Sequence, residues 1–129
     1  MKYFKDSELA CPTTGIIQLQ EGFDADLDEL REAYGHPIAV TSGCRTDEHN
    51  KWLQSRGYPA SSSSLHLIDN DKYGTDTCAI DMQRPDGARL VELFKVAIEL
   101  GWTIGFAKTF VHLDKRQKYT ELPQIIYSY

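Results

Sequence analysis

No apolar run in the 129 residues approaches the roughly 20 that a helix needs to cross a bilayer, so no membrane span is expected. The opening MKYFKDSELACP lacks the apolar stretch of a secretory signal, which predicts synthesis in the cytoplasm and no membrane partner. Basic residues are in deficit: 14 Lys and Arg stand against 19 Asp and Glu, a formal charge of -5. Such a surface is poorly suited to tracking a phosphate backbone, and nucleic acid is not an expected ligand. Cysteine is scarce and odd in number, with Cys11, Cys44 and Cys78 never in CxxC spacing. Neither a complete disulfide framework nor a four-cysteine zinc site fits, and reduced thiols are the reading. Internal repeats are absent as well. What is present is an ordinary globular composition, 41% hydrophobic and 11% aromatic, enough to fill one core at this length. One domain over residues 1–129, monomeric, is the expectation.

The hydrophobic spacing divides the chain. Leu27, Leu30, Arg31 and Tyr34 recur at helical intervals, predicting a helix from Phe23 to Tyr34 with Asp24 as N-cap and Gly35 as its stop. Ile38 to Thr41 is short, apolar and β-branched, which suits a buried strand. Thr46 reads as the N-cap of a second helix, with Asp47 and Glu48 in its first turn and an end near Arg56. GYPASSSS, residues 57–64, reads as a polar connection, followed by an acidic loop holding Asp69, Asp71 and Asp76. Thr77 to Met82 is the next predicted strand; a turn at Pro85-Asp86-Gly87 then opens a largely buried helix ending at Gly101. Strands are expected over Trp102 to Phe106 and Thr109 to Asp114, and Ile125 to Tyr127 adds a last short one. Helices and strands mixed without regular βαβ alternation indicate an α+β fold with a small, mostly antiparallel sheet packed with helices.

Four histidines differ in setting. His36 sits in a turn before Pro37, His49 opens the second helix, His66 follows the serine loop and His112 lies inside an apolar strand. Strand alternation puts His112 and Asp114 on one face, which is either a solvated edge or part of a site. Asp81 also lies in an apolar strand, where a buried carboxylate needs a cation or donors beside it. Two imidazoles and one carboxylate, His66, Asp81 and His112, match a common catalytic-zinc inventory. Many chains of this length offer that inventory, so spacing alone does not decide it.

The order of the surrounding motifs adds to it. Ser42-Gly43-Cys44-Arg45-Thr46 runs from a strand into a helix, with Glu48-His49-Asn50 following. Then come Ser64-Leu65-His66, Ala79-Ile80-Asp81 and Phe110-Val111-His112-Leu113-Asp114. With its opening from Tyr3-Phe4 through Cys11 to Gly15, almost the whole chain resembles the zinc D-alanyl-D-alanine carboxypeptidase and murein endopeptidase family, which shares its fold with the Hedgehog signalling domain. The resemblance implies Zn2+ held by His66, Asp81 and His112, Arg45 binding the substrate's carboxylate or carbonyl, and Ser64 as a hydrogen-bond donor near the metal. It implies hydrolysis of a peptide bond in peptidoglycan stem peptides, of carboxypeptidase or endopeptidase type, with action on the bacterial wall as a phage-encoded or otherwise released protein.

The chain departs from its apparent relatives twice. They space the first two ligands as S-x-H-x-x-G-x-A-x-D, whereas here Leu67 to Ile80 intervene. The acidic insert is read as a solvated connection, a substrate gate or a second cation site. Relatives also carry an acid or histidine just before the last ligand, where this chain has Thr109 and Phe110. Asp114 is therefore the candidate general base, or else the partner that orients His112, with His49 as a weaker alternative base. Cys44 with His49 offers a rival nucleophilic chemistry that lacks an identifiable orienting member. Two functions follow: a zinc peptidase, or a non-catalytic wall-binding module of a phage tail or secretion device that keeps the metal.

Overall fold

A computed structural model describes residues 1–129. Its elements are α1 Asp6–Leu9, α2 Phe23–Tyr34, β1 Val40–Ser42, α3 Asp47–Ser55, β2 Ala79–Gln83, α4 Gly87–Glu99, β3 Thr103–Phe106, β4 Phe110–Asp114, α5 Arg116–Tyr119 and β5 Ile126–Ser128. Helix α2 has the expected bounds but not the expected cap. Gly22, in the left-handed region at φ 91°, occupies the N-cap, and Asp24 turns its carboxylate to the backbone N–H of Ala25. Gly35 ends α2 in the left-handed conformation and donates its N–H to Arg31. At α3 the Thr46 hydroxyl accepts from the N–H of His49, the cap its position predicts. Helices α1 and α5 are four residues each, too short for a periodic signal to show.

The five strands form one sheet in the order β1-β2-β4-β3-β5. The pairings β1–β2, β2–β4 and β3–β4 are antiparallel, and β5 joins β3 in parallel, so the sheet is mixed. The register aligns Ser42 with Asp81, Asp81 with His112, His112 with Gly105, and Gly105 with Tyr127. Residues paired across strands share a face, so these five make a row across the whole sheet. The opposite face carries Ile80, Met82, Ile104, Val111 and Leu113, all essentially inaccessible to solvent. They join Leu27 and Leu30 of α2 and Leu93 and Ala97 of α4 in the main core, where the Phe23 and Trp102 rings meet at 5.6 Å.

Helix α4 buries less than its sequence suggests. Only Leu93 and Ala97 are fully enclosed, while Val91 and Ile98 are 54% and 45% exposed, because a helix lying on one side of a single sheet has one seam to bury. No helix is long and apolar enough to cross a membrane. The three cysteines are buried and unpaired.

Candidate metal centre

Asp81 stands mid-strand in β2 and His112 mid-strand in β4, directly opposite one another. His66 comes from the loop after the serines, and backbone pairing brings that loop in. Arg45 N–H donates to the His66 carbonyl at 2.9 Å, Ile68 N–H to Arg45 at 3.0 Å and Cys78 N–H to Leu65 at 3.0 Å. The Thr77 hydroxyl also donates to the His66 carbonyl, at 2.8 Å. Residues 57–64 are more than the polar connection their composition suggests: Ser61, Ser63 and Ser64 line the cleft above the site.

The three side chains converge. His66 Nε2 lies 3.1 Å from Asp81 Oδ1 and 3.3 Å from His112 Nδ1, and His112 Nδ1 lies 2.9 Å from Asp81 Oδ1. The far nitrogen of each ring is engaged elsewhere. His66 Nδ1–H donates to the Gly43 carbonyl at 2.8 Å, and His112 Nε2–H to Asp114 Oδ2 at 2.7 Å. Those partners assign the tautomers and leave His66 Nε2 and His112 Nδ1 as lone pairs aimed at one point. Two lone pairs and a carboxylate oxygen at such separations repel unless a positive charge lies among them. Ligand bonds of about 2.0–2.2 Å at tetrahedral angles place donor atoms roughly 3.3–3.6 Å apart, a few tenths of an ångström wider than the 2.9 to 3.3 Å here, so a small divalent cation such as zinc suits the set with a slight spreading of the three side chains. The carboxylate–histidine–metal arrangement at Asp114 is a frequent outer-shell feature of zinc sites.

Charge in this dry pocket is managed by pairing. Burial pushes His66 toward its neutral form. Burial also opposes a charge on His112, yet with no cation in the triangle the Asp114 and Asp81 carboxylates on its two sides favour the imidazolium, which alone can donate from both nitrogens, and raise its pKa above the ordinary value. Burial would raise both carboxyls, but the two imidazoles hold Asp81 below the usual range, and His112 with Arg116 holds Asp114 down at about 2. Arg116 clamps Asp114 through Nη2 to Oδ2 at 2.8 Å and Nε to Oδ1 at 3.0 Å, and its backbone N–H adds a bond at 2.9 Å. The sequence reading missed Arg116. Its signal was the D-x-R spacing at the end of a strand, which lets the arginine fold back on the carboxylate.

Arg45 reaches the site with Nη2 at 3.6 Å from Asp81 Oδ2, while its buried Nε has no partner. Ser64 lines the cleft, its Oγ accepting from the His66 N–H at 3.2 Å. His49 is buried elsewhere, with Nδ1 3.0 Å from the Thr13 hydroxyl and its ring stacked on Trp52. Cys44 is fully enclosed and burial raises its thiol pKa, which removes the rival nucleophile. The acidic insert does not gather into a second cation site. Gln18 Nε2 donates to Asp69 and Asp76, and Asn70 caps the N–H groups of Lys72 and Tyr73 while donating to the carbonyls of Ser63 and Ser64.

Gly43 is a tight point of the scaffold. A Cβ there would stand 2.6 Å from the Leu9 carbonyl oxygen and 2.8 Å from Leu9 Cα, both backbone atoms. Gly43→Ala is therefore expected to lower stability by about 1–3 kcal/mol, the usual size of overpacking, and to weaken metal binding by moving the carbonyl that holds His66. Denaturant unfolding and metal titration check this; unchanged values in both would show that the Leu9 turn yields freely.

The profile of the peptidase M15 family matches residues 2–114. The chain belongs to the peptidase M15 family. Searches of curated proteins and of solved structures return no match. M15 membership makes the chain a metallopeptidase by family, one that acts on a peptide-containing substrate, and the matched stretch contains the whole His66, Asp81, His112 triangle.

Proposed function

We propose that this M15 protein is a zinc peptidase that hydrolyses a peptide bond in peptidoglycan stem peptides, as a D,D-carboxypeptidase or endopeptidase. The observation that carries the reading is the convergence of His66, Asp81 and His112 in a cleft of about 310 Å³ that also presents Arg45. Zinc bound by these three residues would supply a Lewis acid for the scissile carbonyl and for the attacking water.

Arg45 binds the substrate. The Arg45 guanidinium lines the cleft, where its planar, permanently charged head suits a carboxylate or peptide carbonyl, while the contact of Nη2 with Asp81 keeps the group turned to the metal triangle. The Ser64 hydroxyl hydrogen remains free to donate to bound peptide. For Asp114 we favour orientation over proton abstraction. Both of its oxygens are engaged by His112 and Arg116, it is fully buried, and it meets the ring nitrogen pointing away from the triangle. So placed, it keeps the His112 proton on Nε2 and the Nδ1 lone pair facing inward.

The wall-binding alternative draws on one observation, the apolar Phe110 at the rim where relatives carry a base. Mass spectrometry of purified peptidoglycan treated with the zinc-loaded protein decides between them. New fragments identify the bond cut; retention on the wall with no new fragments favours the module. Arg45→Lys is expected to keep its zinc and lose most activity, because a point charge cannot reproduce a bidentate clamp. Unchanged kinetics would remove Arg45 from the substrate site.

A further inference from the structure

Residues 115–129 lie beyond the stretch that matches the family, yet Arg116, Leu122, Tyr127 and Tyr129 all line the cleft. Strand β5 explains how. Tyr127 pairs with Gly105 of β3, and Gly105 with His112 of β4. A Cβ on Gly105 would lie 2.7 Å from Tyr127 Cζ and 2.8 Å from its Oη, so the phenol ring lies directly on bare backbone. It thereby crosses β3 toward the metal ligand, with the Tyr127 and His112 rings 6.1 Å apart. Any side chain at position 105 would lift the ring off the sheet.

Tyr129 continues the surface. Its ring lies 5.5 Å from Tyr127 and 5.0 Å from Phe110, and the two hydroxyls are 3.5 Å apart. Phe110, Tyr129 and Tyr127 thus form an aromatic wall along one side of the cleft, with Ser61, Ser63 and Ser64 on its lining as well. Stabilising an edge strand is the competing account of these aromatics, and the strand's own burial argues against it. Ile125 and Ile126, the residues suited to that task, are 38% and 55% exposed, while Tyr127 is directed over the site and Tyr129 leaves 60% of its surface open. Beyond the seat of the Tyr127 ring on Gly105, the strand is held by its backbone pairing with β3 and by polar contacts, including Ile125 N–H to the Thr103 hydroxyl and Gln124 Nε2 to the Ile98 and Trp102 carbonyls.

We propose that β5 is a substrate-positioning strap, in which Tyr127 and Tyr129 contact the bound peptide, packing their rings on its small apolar side chains and donating phenol hydrogen bonds to its carbonyls. This rests on the peptidase reading for the identity of the substrate. A peptide rich in alanine suits such a wall, since a methyl group packs on a ring face and leaves the flanking carbonyls within reach of the hydroxyls.

The test uses the full chain with ring-labelled tyrosine and N-acetyl-L-Lys-D-Ala-D-Ala as probe. NMR titration of the metal-free protein reads contact without turnover, and Tyr127→Phe and Tyr129→Phe assign the two signals. Both signals are expected to shift with tripeptide. In the zinc-loaded protein each Phe variant should raise KM about 3- to 10-fold, and Tyr129→Ala, which also loses the ring, by more than the Phe variant, with zinc content unchanged. Cleavage of the probe with silent ring signals and unchanged KM in all three variants overturns the strap and leaves the peptidase intact. Shifted signals with no cleavage of tripeptide or purified peptidoglycan overturn the peptidase reading and leave the strap. Silence in both measurements overturns the strap.

Discussion

Replacing His112 with Ala should leave the protein with little bound zinc and almost no peptidase turnover. In the proposed site the imidazole is one of three ligands, and losing a ligand should cost more than the roughly 10- to 100-fold in affinity that follows loss of an outer partner. The damage extends past the metal. Asp114, fully buried, loses the donor at 2.7 Å on Oδ2 and keeps only Arg116. Oδ2 still accepts from Arg116, so the loss is that of one charge-assisted hydrogen bond, about 1.5–3 kcal/mol, and the metal-free variant should unfold at lower denaturant than metal-free wild type. Zinc should raise the melting temperature of the wild type, since a ligand at about 1,000 times its Kd adds roughly 4 kcal/mol of stability, and should do little for the variant. Acid should reproduce the loss in the wild type: protons compete for both imidazoles, first for His112, whose pKa is raised above the ordinary histidine value, and at lower pH for His66, whose pKa burial depresses, so zinc affinity falls as pH drops. Full zinc content in His112→Ala would refute the ligand assignment.

Asp114→Asn has the second large effect, and its form separates two roles. If the carboxylate orients His112, zinc affinity should fall roughly 10- to 100-fold and excess zinc should restore much of the rate. Were it the general base, zinc would stay and turnover would fall by about 100- to 10,000-fold, with the acidic limb of the rate profile lost. We expect the first pattern, because His112 and Arg116 already engage both oxygens. A stability signature should accompany it in metal-free protein. The native Asp114 carboxyl is held at about 2, below the ordinary carboxylate value of about 3.9, so its contribution is fully present above that ordinary value and is lost as pH falls toward 2. At neutral pH this amounts to on the order of 2–3 kcal/mol, which the Asn variant lacks and which acid should remove from the wild type. Wild-type rate, zinc affinity and stability in Asp114→Asn would sink both roles.

Much of the candidate site's arrangement was legible in the sequence where the interactions are local or periodic. The two-residue alternation of a strand set His112 and Asp114 on one face, and the structure joins them. The cost of an unpaired carboxylate marked Asp81 in an apolar strand as needing a positive partner. Thr46 before Asp47 and Glu48 announced the start of α3. Where these rules misled, a competing local term had won: Gly22 took the cap from Asp24 because a left-handed turn precedes α2, and α4 left Val91 and Ile98 in solvent because only one of its sides meets the sheet.

Sequence by itself determined the alternation of elements, the inventory of chemistry-bearing residues and the order in which the chain presents them. Tertiary structure decided which of those residues meet. Asp81 opposes His112 through strand register, and the Gly43 carbonyl, 23 positions from His66 along the chain, sets that ring's tautomer. The parallel docking of β5 on β3, which lays Tyr127 across Gly105, has no local signal at all. Each is a contact between segments far apart in sequence. Periodicity and propensity act over a few residues, whereas register and loop docking are settled by burying a whole face at once and by satisfying every backbone group that burial cuts off from water.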